Sequence, residues 1–208
     1  MCVIIHKPAG VAIPPALLVA SASLNRDGWG LMGFDVGGQL LLRRSERVAI
    51  NDLLEVEEQY RQAELVLHLR MLTRGSTHSE NIHPLWVEGG SFLMHNGTLD
   101  GLDTPEPGRS DSWHLASTVL RPLLRRDPEL LEQPAFVELV EMALGRRNRA
   151  VLLHQPTRRI HIFNRASGAE IGGLWCSSTR WIDSRHFSLP DAPQPQERSF
   201  KTDHLHFI

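Results

Sequence analysis

The sequence predicts an α+β fold in which layers of sheet and helix are stacked on one another. Apolar runs typical of strands occur largely in pairs, and the amphipathic segments typical of helices also come in pairs. A parallel sheet would instead show single strands alternating with single helices. No glycine-rich segment has the strand and helix context of a phosphate-binding loop, so nucleotide binding is not expected.

Eight apolar runs predict the strands. The first covers Cys2–His6 and ends at the turn sequence Lys7-Pro8-Ala9-Gly10, so we expect the chain to begin inside the core. The second and third, 29–35 and 39–43, are separated by Val36-Gly37-Gly38 and are predicted to form a hairpin. The remaining predicted strands are 65–70, 91–95, 150–154, 159–163 and 174–177.

Four segments predict helices. The first, 16–22, follows Pro14 and Pro15, and the second is expected to be capped by Asn51 or Asp52. Its apolar face would hold Leu53, Val56 and Tyr60. The third covers 110–124, and the fourth runs from Pro134 to a stop at Gly145. Its apolar stripe is predicted to comprise Phe136, Leu139, Val140, Ala143 and Leu144.

Length and composition indicate one folded domain. The chain has 208 residues, of which 41% are hydrophobic and 22% are charged, and these values exclude an intrinsically disordered chain. We expect the domain to cover residues 2–186. The polar, proline-containing stretch within 187–208 predicts a C-terminal tail.

Charge and hydropathy exclude several partners. The 22 basic side chains against 24 acidic ones give no electrostatic reason to expect nucleic acid. No apolar stretch is long enough for a membrane span, and the N-terminus has no export signal. The two cysteines, Cys2 and Cys176, are expected to stay reduced. We therefore predict a cytoplasmic protein that binds neither membrane nor nucleic acid.

Metal and cofactor sites are not expected either. The sequence has 11 histidines but no Cys-x-x-Cys and no His-Glu-x-x-His motif. We interpret His68, His83 and His95 as core histidines or as neighbours of a site.

Cys2 is the first candidate for chemistry. It follows the initiator methionine, and a small second residue favours removal of that methionine. The mature chain would then carry a thiol with a pKa of about 8.5 beside an amine with a pKa of about 7.7 to 8.0. Nucleophile and general base would belong to one residue. The alternative is a small apolar side chain at the start of a core strand.

Two further patterns each allow a structural and a functional interpretation. Arg70 and Thr73 follow an apolar strand, where the guanidinium could hold a carboxylate through two hydrogen bonds or could simply be solvated. Asn96-Gly97 also follows a strand. It is typical of a tight hairpin turn, but an Asn amide and a Gly backbone N–H could also form an oxyanion hole.

Asp111 is the last candidate. It lies where a helix begins, so its carboxylate could act as an ordinary cap of that helix. It could instead bind a substrate ammonium group.

Together and in this order, these segments resemble the glutaminase domain of class II glutamine amidotransferases. The resemblance extends from residue 2 to residue 120, with a looser likeness at Leu174–Thr179. The matching segments are Cys2, Asn25-Arg26-Asp27-Gly28-Trp29-Gly30, His68-x-Arg70-x-x-Thr73-x-Gly75, Asn81-Ile82-His83-Pro84, His95-Asn96-Gly97 and Ser110-Asp111. Such domains are N-terminal nucleophile hydrolases, so the resemblance implies a four-layer αββα sandwich.

The resemblance also implies a role for each matching residue. Cys2 would be the nucleophile, and Asn96 with the Gly97 amide would stabilise the oxyanion. Arg70, helped by Thr73, would bind the α-carboxylate of glutamine. Asp111 and the Gly97 carbonyl would bind its α-ammonium group. Glutamine would be hydrolysed through a thioester, and the ammonia would pass to a separate synthetase.

Two other functions stay open on the sequence alone. The same residues would suit a γ-glutamyl amide hydrolase that acts on a metabolite and has a wider leaving-group pocket. The chain could also be a catalytically silent binding protein of this fold.

Overall fold

The fold consists of two antiparallel sheets packed face to face. A computed structural model describes residues 2–72, 76 and 79–189. One sheet has six strands in the order β3-β2-β4-β1-β10-β9, and the other has four in the order β5-β6-β7-β8. The strands are β1 Val3–Lys7, β2 Trp29–Phe34, β3 Leu40–Ser45, β4 Glu64–Leu69, β5 Leu85–Trp86, β6 Ser91–Asn96, β7 Arg149–His154, β8 Arg159–Phe163, β9 Ala169–Ile171 and β10 Leu174–Cys176.

Helices cover the outer face of each sheet. The six-stranded sheet carries α1 (Pro15–Leu24) and α2 (Ile50–Gln59). The four-stranded sheet carries α3 (Asp111–His114), a π-helical segment (Leu115–Leu120), α4 (Arg121–Arg126) and α5 (Pro134–Leu144). Three short 3₁₀ helices complete the described helices. They lie at Ser79–Asn81, Pro128–Glu132 and Arg165–Ser167.

Three apolar cores separate these layers. Val3 and Ile5 belong to the core between the six-stranded sheet and its helices, whereas Ile4 belongs to the core between the two sheets. Successive side chains of a strand point to opposite faces, so β1 contributes to both cores. The third core lies beneath the helices of the four-stranded sheet and includes Leu120 and Phe136. The order helix, sheet, sheet, helix confirms the predicted four-layer αββα sandwich.

Several sequence-based expectations need correction. Neither Asn51 nor Asp52 caps α2: both lie inside the helix, whose N-cap is Ala49 without a side-chain hydrogen bond. In α5, Leu139 is 62% exposed although the periodicity placed it in the core. The Asn96-Gly97 pair does not turn a hairpin, because β6 pairs with β5 and β7 instead.

Strand direction and side-chain alternation bring the predicted site together. β4 runs antiparallel to β1 with Leu69 opposite Val3, so the residue after β4 lies beside the residue before β1. Val66 in β4 and Met94 in β6 both face the core between the sheets. Side chains two or four positions further along, including Arg70 and Asn96, therefore point toward the same inter-sheet side.

Candidate active site around Cys2

Cys2 lies at the start of β1, between the two sheets. Its backbone nitrogen donates to Asn96 Oδ1 at 3.1 Å, which links residues 94 positions apart in the chain. Its sulfur lies 3.4 Å from the backbone nitrogen of Met71 and 3.5 Å from the Met71 carbonyl oxygen. The residue as a whole is partly exposed, but its thiol is largely buried. A reactive group at this position is thus anchored through both its backbone and its sulfur.

The surroundings of Cys2 favour the neutral thiol. Burial raises the pKa of the Cys2 thiol above its ordinary value, and Asp111 raises it further, whereas the Met71 backbone hydrogen bond and the Arg70 guanidinium lower it. A thiol with a raised pKa is a poor nucleophile at neutral pH unless a base removes its proton.

Asn96 ends β6 and is 3% exposed. One end of its side-chain amide accepts from the Cys2 nitrogen, and the other end, Nδ2, donates to Ser177 Oγ at 2.8 Å. An amide nitrogen carries two hydrogens, so a second Nδ2 hydrogen remains for another acceptor.

Gly97 has a backbone that only glycine adopts readily, with φ of +148°. A Cβ at this position would lie 1.9 Å from Asn148 Oδ1. Asn148 in turn contacts His95 Nε2 at 3.1 Å. The glycine thus allows the chain to leave β6 in close contact with the neighbouring Asn148.

Arg70 follows β4 and is buried, with 4% exposure. Its Nη2 donates to the Ser76 carbonyl at 2.8 Å, whereas its Nη1 has no hydrogen-bond partner within the described residues. Burial lowers the pKa of the Arg70 guanidinium, and Cys2 and Asp27 raise it. A ligand carboxylate would satisfy the free Nη1 donor and supply a counter-charge. Thr73, the predicted helper of Arg70, lies outside the described residues.

The segment at residues 25–30 holds the backbone around Arg70. The Asp27 nitrogen donates to the Arg70 carbonyl at 3.0 Å, and the Arg70 nitrogen donates to the Gly28 carbonyl at 2.8 Å. The Asp27 carboxylate also accepts from the Leu72 nitrogen at 2.7 Å. This segment matched the family resemblance without a predicted role, and its contacts show that it fixes the end of β4.

Asp111 begins α3 and is 5% exposed. Its carboxylate accepts from the backbone nitrogens of Leu99 and Ser112 at 2.8 and 2.9 Å. The side-chain cap of the helix is Ser110, whose hydroxyl accepts from the Trp113 nitrogen. Asp111 is therefore not the N-cap, and its carboxylate ties the loop after Gly97 to the start of α3.

Asn81 forms hydrogen bonds both with the segment that follows Arg70 and with the segment that precedes Asp111. Its Oδ1 accepts from the Ser110 nitrogen at 2.8 Å, next to Asp111. Its Nδ2 donates to the carbonyls of Gly108 and Ser76 at 2.8 and 3.2 Å, and Ser76 is also the partner of Arg70. One buried amide thus fixes the approach of the Arg70 segment to the Asp111 segment.

Three histidines are buried behind the site. The ring centroids of His68 and His83 lie 4.2 Å apart. Neither ring has a hydrogen-bond partner within the described residues. His95 contacts Ser112 Oγ at 2.8 Å through Nδ1. Burial lowers the pKa of all three rings, that of His68 to about 3 with a further contribution from Arg70. They are therefore neutral at physiological pH.

This burial predicts that the protein loses stability in mild acid. The pKa of His68 is about 3 in the folded chain and about 6.5 when unfolded. Between these values the unfolded chain binds more protons, so the free energy of unfolding falls as the pH falls from 6.5 toward 3. His68 alone should contribute a loss of about 2 kcal/mol between pH 6.5 and pH 5. Urea unfolding at a series of pH values measures this loss.

Two variants identify the source of that pH dependence. His68→Leu should flatten the curve of unfolding free energy against pH. The slope that remains should come from the other groups whose pKa is lowered in the folded chain, which include His83, His95, His154, His161 and Asp183. His186→Gln is the matched control, because His186 is exposed and should leave the slope of wild type unchanged. A His68→Leu curve parallel to that of wild type would contradict the assignment.

One apolar cavity lies away from Cys2. It measures about 840 Å³ and is mostly apolar, and its walls come from the loop at 98–102, the π-helical segment, α4 and α5. Asn148 and Leu99 connect it to the region around Gly97 and Asp111. None of the residues predicted for the site lines this cavity.

Within the described residues, no three histidine, cysteine, aspartate or glutamate side chains converge in a way that could hold a metal ion. Over the same ranges, no helix combines the length and apolar character needed to cross a membrane.

Ser177 is the contact that the sequence analysis missed. The pattern placed it at the end of the last strand, with no chemical role. The structure places its hydroxyl on Asn96 and on the backbone of β1. The only sequence signal was the loose family likeness at Leu174–Thr179.

Comparisons with known proteins agree with this architecture. The family model for class II glutamine amidotransferases matches residues 10–147. The match includes Arg70, Asn96, Gly97 and Asp111 but begins after Cys2. A search of the curated proteins gave no match.

A solved structure of low sequence identity shares the fold. B. subtilis glutamine phosphoribosylpyrophosphate amidotransferase, complexed with ADP and GMP, aligns over 87% of this chain at 15% identity and a TM-score of 0.50. The chain spans 42% of the length of that protein. An allosteric regulatory enzyme of purine biosynthesis aligns at 13% identity over 85% of this chain and 41% of its own, with a TM-score of 0.47.

A glutamine aminotransferase class-II domain protein from Silicibacter pomeroyi is also similar. It aligns at 19% identity over 73% of this chain and 72% of its own, with a TM-score of 0.38. The family match covers well over half of the chain, and the sandwich of two antiparallel sheets between helices is the fold that the family resemblance implied. The chain therefore belongs to the class II glutamine amidotransferases.

Proposed function

We propose that this chain hydrolyses the side-chain amide of glutamine to glutamate and ammonia, through a thioester on Cys2. The observation that carries the proposal is the 3.1 Å hydrogen bond between the Cys2 nitrogen and Asn96 Oδ1. It places the residue that would supply both nucleophile and base next to the amide that would stabilise the oxyanion. The raised pKa of the thiol supports the need for an adjacent base.

The substrate is held by two opposite charges. The Arg70 guanidinium, helped by Thr73, binds the α-carboxylate. Within the part of the chain that the structure describes, Arg70 Nη1 has no hydrogen-bond partner, which supports this role. The Asp111 carboxylate and the Gly97 carbonyl bind the α-ammonium group. Asn81 fixes the two charged segments relative to each other. These two charged residues form a clamp that binds the α-carboxylate and α-ammonium groups of glutamine. The side-chain amide of glutamine is then left facing Cys2.

The reaction begins after removal of Met1, when the α-amine of Cys2 takes the proton from the thiol. The sulfur attacks the amide carbon, and the resulting oxyanion accepts from the Gly97 N–H and from the second Nδ2 hydrogen of Asn96. The Cys2 ammonium returns the proton to the departing nitrogen, the carbon–nitrogen bond breaks, and ammonia leaves a thioester. Water, deprotonated by the same amine, attacks the thioester, and glutamate and the thiol are released.

We further propose that the ammonia passes to a separate synthetase. The B. subtilis protein is more than twice as long as the region that aligns with this chain. A cytoplasmic location fits this chemistry, because a nucleophilic thiol remains reduced there.

Ammonia release from a set of amides tests the function. Glutamine should be hydrolysed, whereas asparagine should not, because its amide carbon lies about 1.5 Å closer to the charged groups. Faster turnover of γ-glutamyl alkylamides or anilides than of glutamine would assign the chain as a γ-glutamyl amide hydrolase instead. A protein that begins at Cys2 and hydrolyses none of these amides would contradict the proposal and leave a silent binding protein.

A further inference from the structure

Ser177 links the two sheets at the candidate site. It follows β10, which runs antiparallel to β1, so Ser177 lies opposite Ile4. The Ser177 nitrogen donates to the Ile4 carbonyl, and its hydroxyl oxygen accepts from the Ile4 nitrogen, both at 2.8 Å. The same oxygen accepts from Asn96 Nδ2 at 2.8 Å. The side chain is fully buried.

One oxygen atom therefore holds two parts of the site at a fixed separation. Ile4 lies two residues after Cys2 in the same chain segment, and Asn96 is the last residue of β6 in the opposite sheet. A hydroxyl oxygen has two acceptor sites, and both are occupied here by N–H donors. Loss of the hydroxyl would leave two buried donors unpaired and release the Asn96 amide from one of its two anchors.

We propose that Ser177 is a positioning residue that acts through Asn96 on the stabilisation of the oxyanion. This inference rests on the proposed amidohydrolase function. The two residues proposed to bind the charged groups of the substrate have other hydrogen-bond partners than Ser177. Arg70 is hydrogen-bonded to Ser76, and Asp111 to Leu99 and Ser112. Displacing the amide should therefore weaken the transition state more than the bound substrate.

Steady-state kinetics of Ser177→Ala test the proposal. Removing one oxyanion donor outright lowers kcat by about 10² to 10³-fold. A displaced donor should lower kcat by about 10 to 100-fold, with the KM for glutamine within about twofold of wild type.

Ser91→Ala is the matched control. Ser91 begins the same strand that Asn96 ends, is 1% exposed and bonds His154 Nδ1 at 2.9 Å. It should lose stability as Ser177→Ala does but keep the kcat of wild type. An equal fall of kcat in both variants would overturn the proposal, because general destabilisation would then explain it.

A double-mutant cycle separates positioning from stability. If Ser177 acts through Asn96, then Ser177→Ala should change kcat by less than about twofold in an Asn96→Ala background. A loss as large as in the wild-type background would show that Ser177 acts by another route.

A measurement without turnover keeps the test independent of the proposed function. Hydrogen exchange of the Asn96 side-chain amide, followed by NMR, should be slow in wild type and in Ser91→Ala. It should accelerate by at least about tenfold in Ser177→Ala. Unchanged protection in that variant would overturn the role of Ser177 even if the chain proved not to hydrolyse glutamine. If Ser177→Ala accelerates the exchange but the wild type releases no ammonia from glutamine, the proposed function is rejected. The role of Ser177 in positioning Asn96 is then still supported.

Discussion

Replacing Cys2 with alanine should lower ammonia release from glutamine by at least about 10³-fold, because the nucleophile is lost while the substrate clamp remains. The fold should persist, since Cys2 precedes β1 and the smaller alanine side chain fits in the space of the cysteine. Calorimetry should show that glutamine still binds to the variant. Ammonia release over time gives the activity.

Cys176→Ala is the control for that experiment. Cys176 is buried in β10, and burial raises the pKa of its thiol to about 12, so it is protonated and inert at neutral pH. This variant should retain most of its activity, apart from a modest loss of stability. Full activity in Cys2→Ala, or loss of activity in Cys176→Ala alone, would contradict the assignment of the nucleophile.

Replacing Arg70 with lysine should weaken the binding of glutamine by about 10 to 150-fold. A lysine cannot form two parallel hydrogen bonds with the α-carboxylate, and each charge-assisted bond contributes about 1.5 to 3 kcal/mol. The affinity is best measured by calorimetry in a Cys2→Ala background, where glutamine is not consumed. Wild-type affinity in the Arg70→Lys variant would remove Arg70 from the clamp.

Arg121→Lys controls for the loss of a guanidinium. Arg121 donates to the carbonyls of Val87 and Trp86 at 2.8 and 3.2 Å, much as Arg70 donates to Ser76. It lies on α4, in the outer helix layer. Its replacement should affect stability by a similar amount but leave the KM for glutamine unchanged.

The sequence predicted the elements whose local pattern is strong. β1, β4 and β6 are continuous apolar runs, and α5 ends at Gly145, whose φ of +67° suits glycine. The short strands β5 and β9 escaped prediction because two or three residues carry no periodicity. The predicted N-cap of α2 was wrong, because the N-cap is Ala49, whose side chain cannot form a capping hydrogen bond.

The sequence identified the residues proposed for the site, but it did not identify the residues that hold them in place. Cys2, Arg70 and Asn96 were singled out by chemistry and by the family resemblance. The roles of Ser177 and Asn81 depend on which strands pair and which loops meet, over separations of 81 and 29 residues. Strand order and loop packing are set by the three cores together, so local sequence does not reveal them.

The most direct measurement is the mass of the purified protein before and after treatment with an electrophilic analogue of glutamine. A chain short by one methionine residue, with the label on the peptide that begins at Cys2, is the predicted result. A protein that keeps Met1 throughout, or a label found on Cys176 instead, would contradict catalysis by an N-terminal cysteine.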